Sequence, residues 1–489
     1  MRRSDLKSVP PAGTLSATKL RVLEALERGD QSQQIDLLAM RRTHARQAFL
    51  SLAQEQLIRF EENHPSIPPL YNESFTVKRI GEINPLILER SLAEIIRRHE
   101  IWRTSYETIG EVKMQIVQPE TDRFSLPSVD LRNAPASQQG AEILRLGREQ
   151  AGVPFDLRHG PLLRGTLAVT GDAESCLVMT AHQSIVDGVS VYQIFIHELS
   201  TIYEALALGR SSPLPELPFQ FCDFASWQRQ WLTPEERGRQ LSYWKDRLRG
   251  GPPRRRWPTR PPGATSELFR GHIRPFALRC DLVALLRRLN HREGSTLFCM
   301  LLAAFYLLVH CYSGQSDLIV GTFSPAGRKR LEVQHLLGYF LNPVAVRVIL
   351  SDNPTFIELL HRAGSATSEA ISNDDVPFED VVRELTPTAD PDDNSYFSVA
   401  LSLQPRAPDL GVSWTVTSMD AESGGAKLDL YLAFIELADQ LHVRVQYNAD
   451  VFEYAEIEKL VDDFQSILQI CVARPNTRVS EMPIIKANR

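Results

Sequence analysis

Apolar residues along this chain recur at two spacings, and the switches between them mark its elements. Leu86, Leu88, Leu92, Ile95 and Ile96 fall three or four apart and predict an amphipathic helix over Leu86–His99. The same reading predicts helices over Val191–Leu206, Glu235–Leu248, Asp281–Asn290 and Thr296–Tyr312, the last of them largely apolar. Alternating or continuous apolar runs predict strands over Tyr71–Ile80, 113–118, 162–169 and Asp317–Thr322. Another apolar run, Leu177–Met179, predicts a buried strand; it ends in the polar turn His182–Gly188, after which helical spacing resumes. Near the start, Leu20, Leu23 and Leu26 predict a short helix over Leu15–Gly29, with Ser16 as N-cap and Gly29 as stop.

Strand and helix patterns interleave in both halves, so the expected class is mixed α/β (α+β). At 489 residues the chain is too long for one ordinary core. Ser211–Pro218 is a Pro- and Ser-rich break, and GGPPRRRWPTRPPG over 250–263 is the clearest linker. These breaks divide the reading into a flexible lead over 1–44 and two units, 45–225 and 226–489.

Composition narrows the class. Hydrophobic residues at 43% and charged residues at 23% are those of a globular protein, and a net charge of −6 gives no sign of nucleic-acid binding. Six cysteines without C-x-x-C spacing read as free thiols in a reducing cytoplasm, with no metal site expected. No apolar run approaches the ~20 residues of a membrane span, and no secretory signal opens the chain. A cytoplasmic protein is expected.

The candidate chemistry sits in the turn. His182 and Asp187 meet where a strand gives way to a helix, which is one way to build a polar site. A hydrogen-bonded core histidine beside a capping Asp and a turn glycine, Gly188, is the equally weighted alternative. A buried Asp187 needs a counter-charge. Arg98 and Arg103, at the end of the Leu86–His99 helix, are expected to supply it, with Arg164 as a second candidate.

The turn resembles the His-His-x-x-x-Asp-Gly motif of the condensation domains of nonribosomal peptide synthetases, with Gln183 in place of the second His. Other stretches resemble that family's motifs in order. Ser51, Ala53, Gln54 and Leu57 match its opening; Arg98–Thr104 resembles R-H-E-x-L-R-T; Phe221–Gln228 resembles Y-x-D-F-A-x-W-Q. Ala326-Gly327-Arg328 followed by Leu337–Asn342 resembles the A-G-R turn before I-G-x-F-V-N. Val376–Val382 fits P-F-E-x-V-V, with Asp374 and Asp375 near the place of a missing upstream His. Asn394–Val399, Lys427–Leu430 and Tyr447–Phe452 resemble the closing motifs. The motifs run to the chain's end, where a synthetase would continue into an adenylation domain, so a free-standing protein is expected.

The resemblance implies two chloramphenicol acetyltransferase-like lobes forming a V-shaped pseudo-dimer with a central tunnel. It implies no bound cofactor, with substrates carried on the phosphopantetheine arms of peptidyl or acyl carrier proteins. Those carriers would belong to a partner synthetase or polyketide synthase. Gln183, His182, Asp187 and Gly188 would form the reaction centre, with Asn342 facing it and Arg98, Arg103, Arg164, Ser190 and Arg328 in support. Gln183 cannot act as a base as an imidazole does. Two readings follow: a condensation enzyme that joins an acyl thioester to an amine, less readily a hydroxyl, or an inactive platform that recruits a carrier protein or tailoring enzyme.

Overall fold

Two mixed sheets organise the chain, each over its own apolar core. A computed structural model describes residues 40–482, apart from 122, 252–268, 388–395, 407, 409, 411–412, 419–420 and 438–439. The expected Leu15–Gly29 helix, most of the 250–263 linker and Asn394-Ser395 lie outside the described residues.

The first sheet runs in the order Trp414–Ser418, Asn72–Ile80, Glu174–His182, Leu163–Gly171, Ser128–Asp130, antiparallel except for its last pair. Its first strand is drawn from late in the chain: Trp414 pairs with Arg79. The second sheet orders Asn342–Ile349, Asp317–Ser324, Val399–Gln404, Leu430–Glu436, Leu441–Asn448 and Gly271–Leu278, with parallel pairing at its centre. A small third sheet joins Gln47–Phe49, Val112–Val117 and Thr104–Ile109. The class is therefore mixed α/β, as the interleaved patterns predict.

Helix faces follow the periodicity. Pro85–Arg98 buries Leu88, Leu92, Ile95 and Ile96 against the first sheet's core, with Asn84 capping its free N–H groups. Leu297–Ser313, apolar almost all round, is the central helix of the second core, with Met300 through Leu308 fully buried. Among the described residues no single helix is long and apolar enough to cross a membrane.

Among the differences from the sequence reading, two lie in the first half of the chain. Ala136–Ala151 forms a helix that its weak apolar stripe does not announce; Ile143, Leu144 and Leu146 cover a satellite core on the first sheet's other face. The expected Val191–Leu206 helix opens with a π-helical turn over Ser190–Phe195 before the α-helix Ile196–Ala207. Wide turns of this kind often accompany sites, because they re-aim side chains.

One segment ties the halves together. Val333, Leu336, Leu337, Tyr339 and Phe340 come from the later half yet pack in the first core. Phe340 contacts Phe221 and Phe224 at ring separations of 4.9 and 4.8 Å, which gives the Phe221–Trp231 helix its anchoring role.

Candidate functional site

The turn after Glu174–His182 is held from three sides. Gln183 continues the ladder by donating its N–H to the Tyr71 carbonyl at 2.7 Å. The Ser184 carbonyl accepts from the Gln54 amide at 3.0 Å, and the same Gln54 side chain closes the capping box with Ser51. His182 is fully buried, with Nδ1 2.7 Å from the Ser184 hydroxyl and Nε2 2.9 Å from Glu61. The Ser184 N–H also points at Nδ1, so Nε2 carries the proton toward the Glu61 carboxylate. With both nitrogens engaged, this imidazole has no site left for a reacting group.

Asp187 is buried and paired, but with an arginine other than the expected ones. Arg328 donates to it twice, Nε to Oδ2 at 3.0 Å and Nη2 to Oδ1 at 2.8 Å. Ser190 adds its N–H at 2.8 Å, and Phe340 its N–H at 3.3 Å. The Ser190 hydroxyl lies 2.8 Å from Asp187 and accepts from Arg328 at 2.8 Å and from Gly338 N–H at 3.1 Å. Arg328 also donates to the Leu336 carbonyl at 3.0 Å and stacks over Phe340. This knot clamps the 333–340 segment of the later half onto the turn of the earlier one.

The expected pairing of Asp187 with Arg98, Arg103 or Arg164 is corrected accordingly. Arg98 does turn inward from its helix, but meets Glu198, at 3.2 and 3.1 Å, with His99 at 3.0 Å from the same carboxylate. Burial pushes the Glu198 carboxyl up; hydrogen bonds and charge from His99 and Arg98 outweigh it and hold its pKa at about 2. Arg103 donates to the Gln118 carbonyl, and its burial pulls its pKa down. Arg164 donates to the Val153 carbonyl at 2.8 Å and covers the Phe155 ring.

Asn342 is corrected as well. Its amide donates to the carbonyls of Asp374 and Val376, both at 2.7 Å, and accepts from Phe378 N–H at 3.3 Å. Every polar atom of that side chain is thus spent on the 374–378 turn, and none faces Gln183. Asp374 is buried against Ser324 and Lys329, and burial pushes its carboxyl up.

Gln183 differs from all of these. Its side-chain amide has no partner among the described residues. It lines two clefts at once. One runs past Asp187, Gly188, Tyr192 and Gln404; the other runs past Leu57, Tyr339, Phe378 and Lys427. Leu70, Glu73, Phe323, Tyr431 and Gln446 are shared by both, so the clefts meet at Gln183. Gly188 lets the Gln404 side chain pack close against the turn, since a Cβ there would run into it. Among the described residues no cluster of His, Cys, Asp and Glu is placed to hold a metal ion.

The sequence reading missed Glu198, Glu61 and Glu73. Glu73 had a signal: it occupies the phase of its strand that Phe75 and Val77 fill with apolar side chains, so an acid there is out of pattern.

Comparisons with known proteins agree with this architecture. The chain is 36% identical over 441 residues to a linear gramicidin synthase of Brevibacillus parabrevis, covering 89% of this chain but 6% of that protein. It is 37% identical over 417 residues to the chondramide synthase of Chondromyces crocatus, covering 85% of this chain and 11% of that protein. The chain therefore spans a small fraction of the length of these curated relatives. The first condensation domain of the calcium-dependent antibiotic synthetase superposes with a TM-score of 0.79 at 18% identity, covering 89% of this chain and 99% of that one. The X-domain from teicoplanin biosynthesis, solved also in complex with OxyB, superposes at 0.75 with 24% identity, covering 91% and 99%. Both structural likenesses are of fold. Residues 44–489 match the Condensation domain family, and the chain belongs to it.

Proposed function

We propose that this chain is a condensation-type acyltransferase that joins an acyl thioester, presented on the phosphopantetheine arm of a carrier protein, to an amine on a second carrier. The observation that carries this reading is the unpartnered Gln183 amide at the meeting point of two clefts. One cleft admits the donor and the other the acceptor, and the two reacting ends meet beside Gln183. At position 183 itself the site offers proximity and orientation without a base. Holding two reactants in line is worth up to ~7–11 kcal/mol, whereas a general base adds roughly 10²–10⁴ in rate. An amine, already nucleophilic when neutral, suits such a site better than a hydroxyl. Gln183 orients the nucleophile's N–H or the carbonyl oxygen through its amide. Asp187 takes no part in proton transfer, because Arg328 and Ser190 occupy its oxygens. The carriers belong to a synthetase or polyketide synthase, and six free thiols suit a cytoplasmic setting.

A second reading is favoured by the missing imidazole together with the fold's likeness to an X-domain solved with OxyB. In it the chain is a platform that recruits a carrier protein or tailoring enzyme without chemistry. Intact-protein mass spectrometry of paired loaded carrier proteins decides. Transfer of the acyl group to the acceptor carrier only when this protein is present supports the acyltransferase. Carrier binding by calorimetry without any transfer supports the platform and overturns the enzyme.

A further inference from the structure

The junction of the clefts holds an acid that the family's motifs do not include. Glu73 lies on the strand Asn72–Ile80, in register with Ala181 of Glu174–His182. Gln183 stands two residues beyond Ala181, and its N–H bonds the carbonyl of Tyr71, just ahead of the same strand. The two side chains are thus diagonal neighbours of the same phase, with Cα atoms about 7–8 Å apart, within reach of long side chains. Both line both clefts.

Among the described residues the Glu73 carboxylate has neither hydrogen bond nor ion pair. The other acids around the turn are engaged: Glu61 is held by His182, and Asp187 by Arg328. Two phenols that feel the Glu73 charge, Tyr431 and Tyr339, stay protonated. Burial first, and then the Glu73 charge, push Tyr431 up to about 12 against the lowering effect of its hydrogen bond with Ser402. Tyr339 is pushed up as well, by burial and then by Asp187 and Glu73. Lining clefts that also hold Arg444, Lys427 and the Tyr431 hydroxyl, this half-buried carboxylate, with no ion-pair partner among the described residues, attracts the cationic or hydrogen-bearing nitrogen of an amine.

We propose that Glu73 is the proton acceptor for the amine nucleophile, taking the task that an imidazole at position 183 would perform; this rests on the acyltransferase reading. The amine nitrogen forms the new C–N bond at the thioester carbonyl, and its proton passes to the Glu73 carboxylate. As the tetrahedral adduct collapses, the C–S bond breaks and the leaving thiolate takes that proton from Glu73. Atoms and charge balance, and Glu73 returns ionised. Gln183 holds the reacting atoms while Glu73 moves the proton.

The test uses the full chain with acyl- and aminoacyl-N-acetylcysteamine thioesters as donor and acceptor probes, following amide formation against pH. Glu73→Gln is expected to lower kcat by about 10²-fold with KM little changed, and to remove the carboxylate-dependent acid limb of the kcat profile. Glu73→Asp retains part of the rate. In the Gln183→His background the imidazole takes the proton instead, so Glu73→Gln there costs less than about tenfold. That non-additivity is one a merely structural role does not produce. Parent-like kcat for Glu73→Gln, or a loss confined to KM, overturns the assignment and leaves the acyltransferase standing. No product from the parent with any probe pair overturns both.

Discussion

The knot around Asp187 and the junction around Gln183 lie within five residues of each other, yet they are built on opposite terms. Asp187 is saturated: Arg328 grips both its oxygens, and Ser190 and Phe340 donate to what remains. Gln183 and Glu73 are left without partners among the described residues, facing open space. A buried charge must be satisfied for the chain to fold, whereas a group that meets a substrate must be kept vacant for it. The motif therefore divides by role. His182, Asp187 and Gly188 shape and fix the turn, and position 183 alone presents a side chain to the place where the clefts meet. A change of side chain at position 183 alters the chemistry offered there while leaving the scaffold intact, because among the described residues no hydrogen bond runs through that side chain.

If the knot is structural, breaking it costs stability first. Asp187→Ala strands Arg328 and is expected to destabilise the protein by about 3–5 kcal/mol, read as a fall in Tm and soluble yield. The pair Asp187→Leu with Arg328→Met, by removing both charges, should cost less than either single change. A single variant that melts like the parent contradicts the assigned pairing.

Asn342→Ala tests the corrected role of that residue. It leaves two carbonyls and the Phe378 N–H without partners, and about 1–3 kcal/mol of stability should be lost in chemical denaturation. A loss of turnover with unchanged stability would restore Asn342 to the reaction centre.

Glu198 gives the comparison a pH dependence. Its folded pKa of about 2 lies below the ~4.3 of an unfolded glutamate, so the unfolded state binds more protons in between. The stability it contributes is full above about pH 5 and falls as pH drops toward 2. Glu198→Gln should flatten that part of the stability curve; an unchanged acid slope argues against the Arg98–His99–Glu198 cluster.

Gly188→Ala is expected to have the smallest effect on stability, under about 1 kcal/mol, because the Gln404 side chain that a Cβ meets is flexible. It narrows the first cleft, so KM for the substrate entering there should rise, and Gln404→Ala in the same chain should restore it. Unchanged KM would mean that this cleft is not an entry path.

Much of this was legible in the sequence, and what was not has physical reasons. Strands and helices with strong periodicity, such as Tyr71–Ile80 and Leu86–His99, stand within a residue or two of their predicted bounds. The exchange of Trp414–Ser418 into the first sheet was hidden, because strand pairing over such a separation leaves no mark in local pattern. Ion-pair partners were hidden for the same reason. Arg98 and Arg164 are nearer to Asp187 along the chain than Arg328 is, but the packing of the 333–340 segment, and not nearness in sequence, selects the partner. Glu198 was passed over because a single acid on an apolar helix reads as a solvated position, when in fact it is buried between Arg98 and His99. Glu73 alone broke a pattern visible without coordinates.

On the proposed reading, the vacant amide of Gln183 serves a working acyl-transfer site. The most direct measurement is the single-turnover rate of amide formation between loaded carrier proteins, by quenched-flow mass spectrometry, for the parent, Gln183→Ala and Gln183→His. Turnover by the parent, a fall of up to about tenfold for Gln183→Ala and a rise of up to about 10²-fold for Gln183→His are predicted. No product from the parent or from Gln183→His, with carrier binding undiminished, would contradict the account.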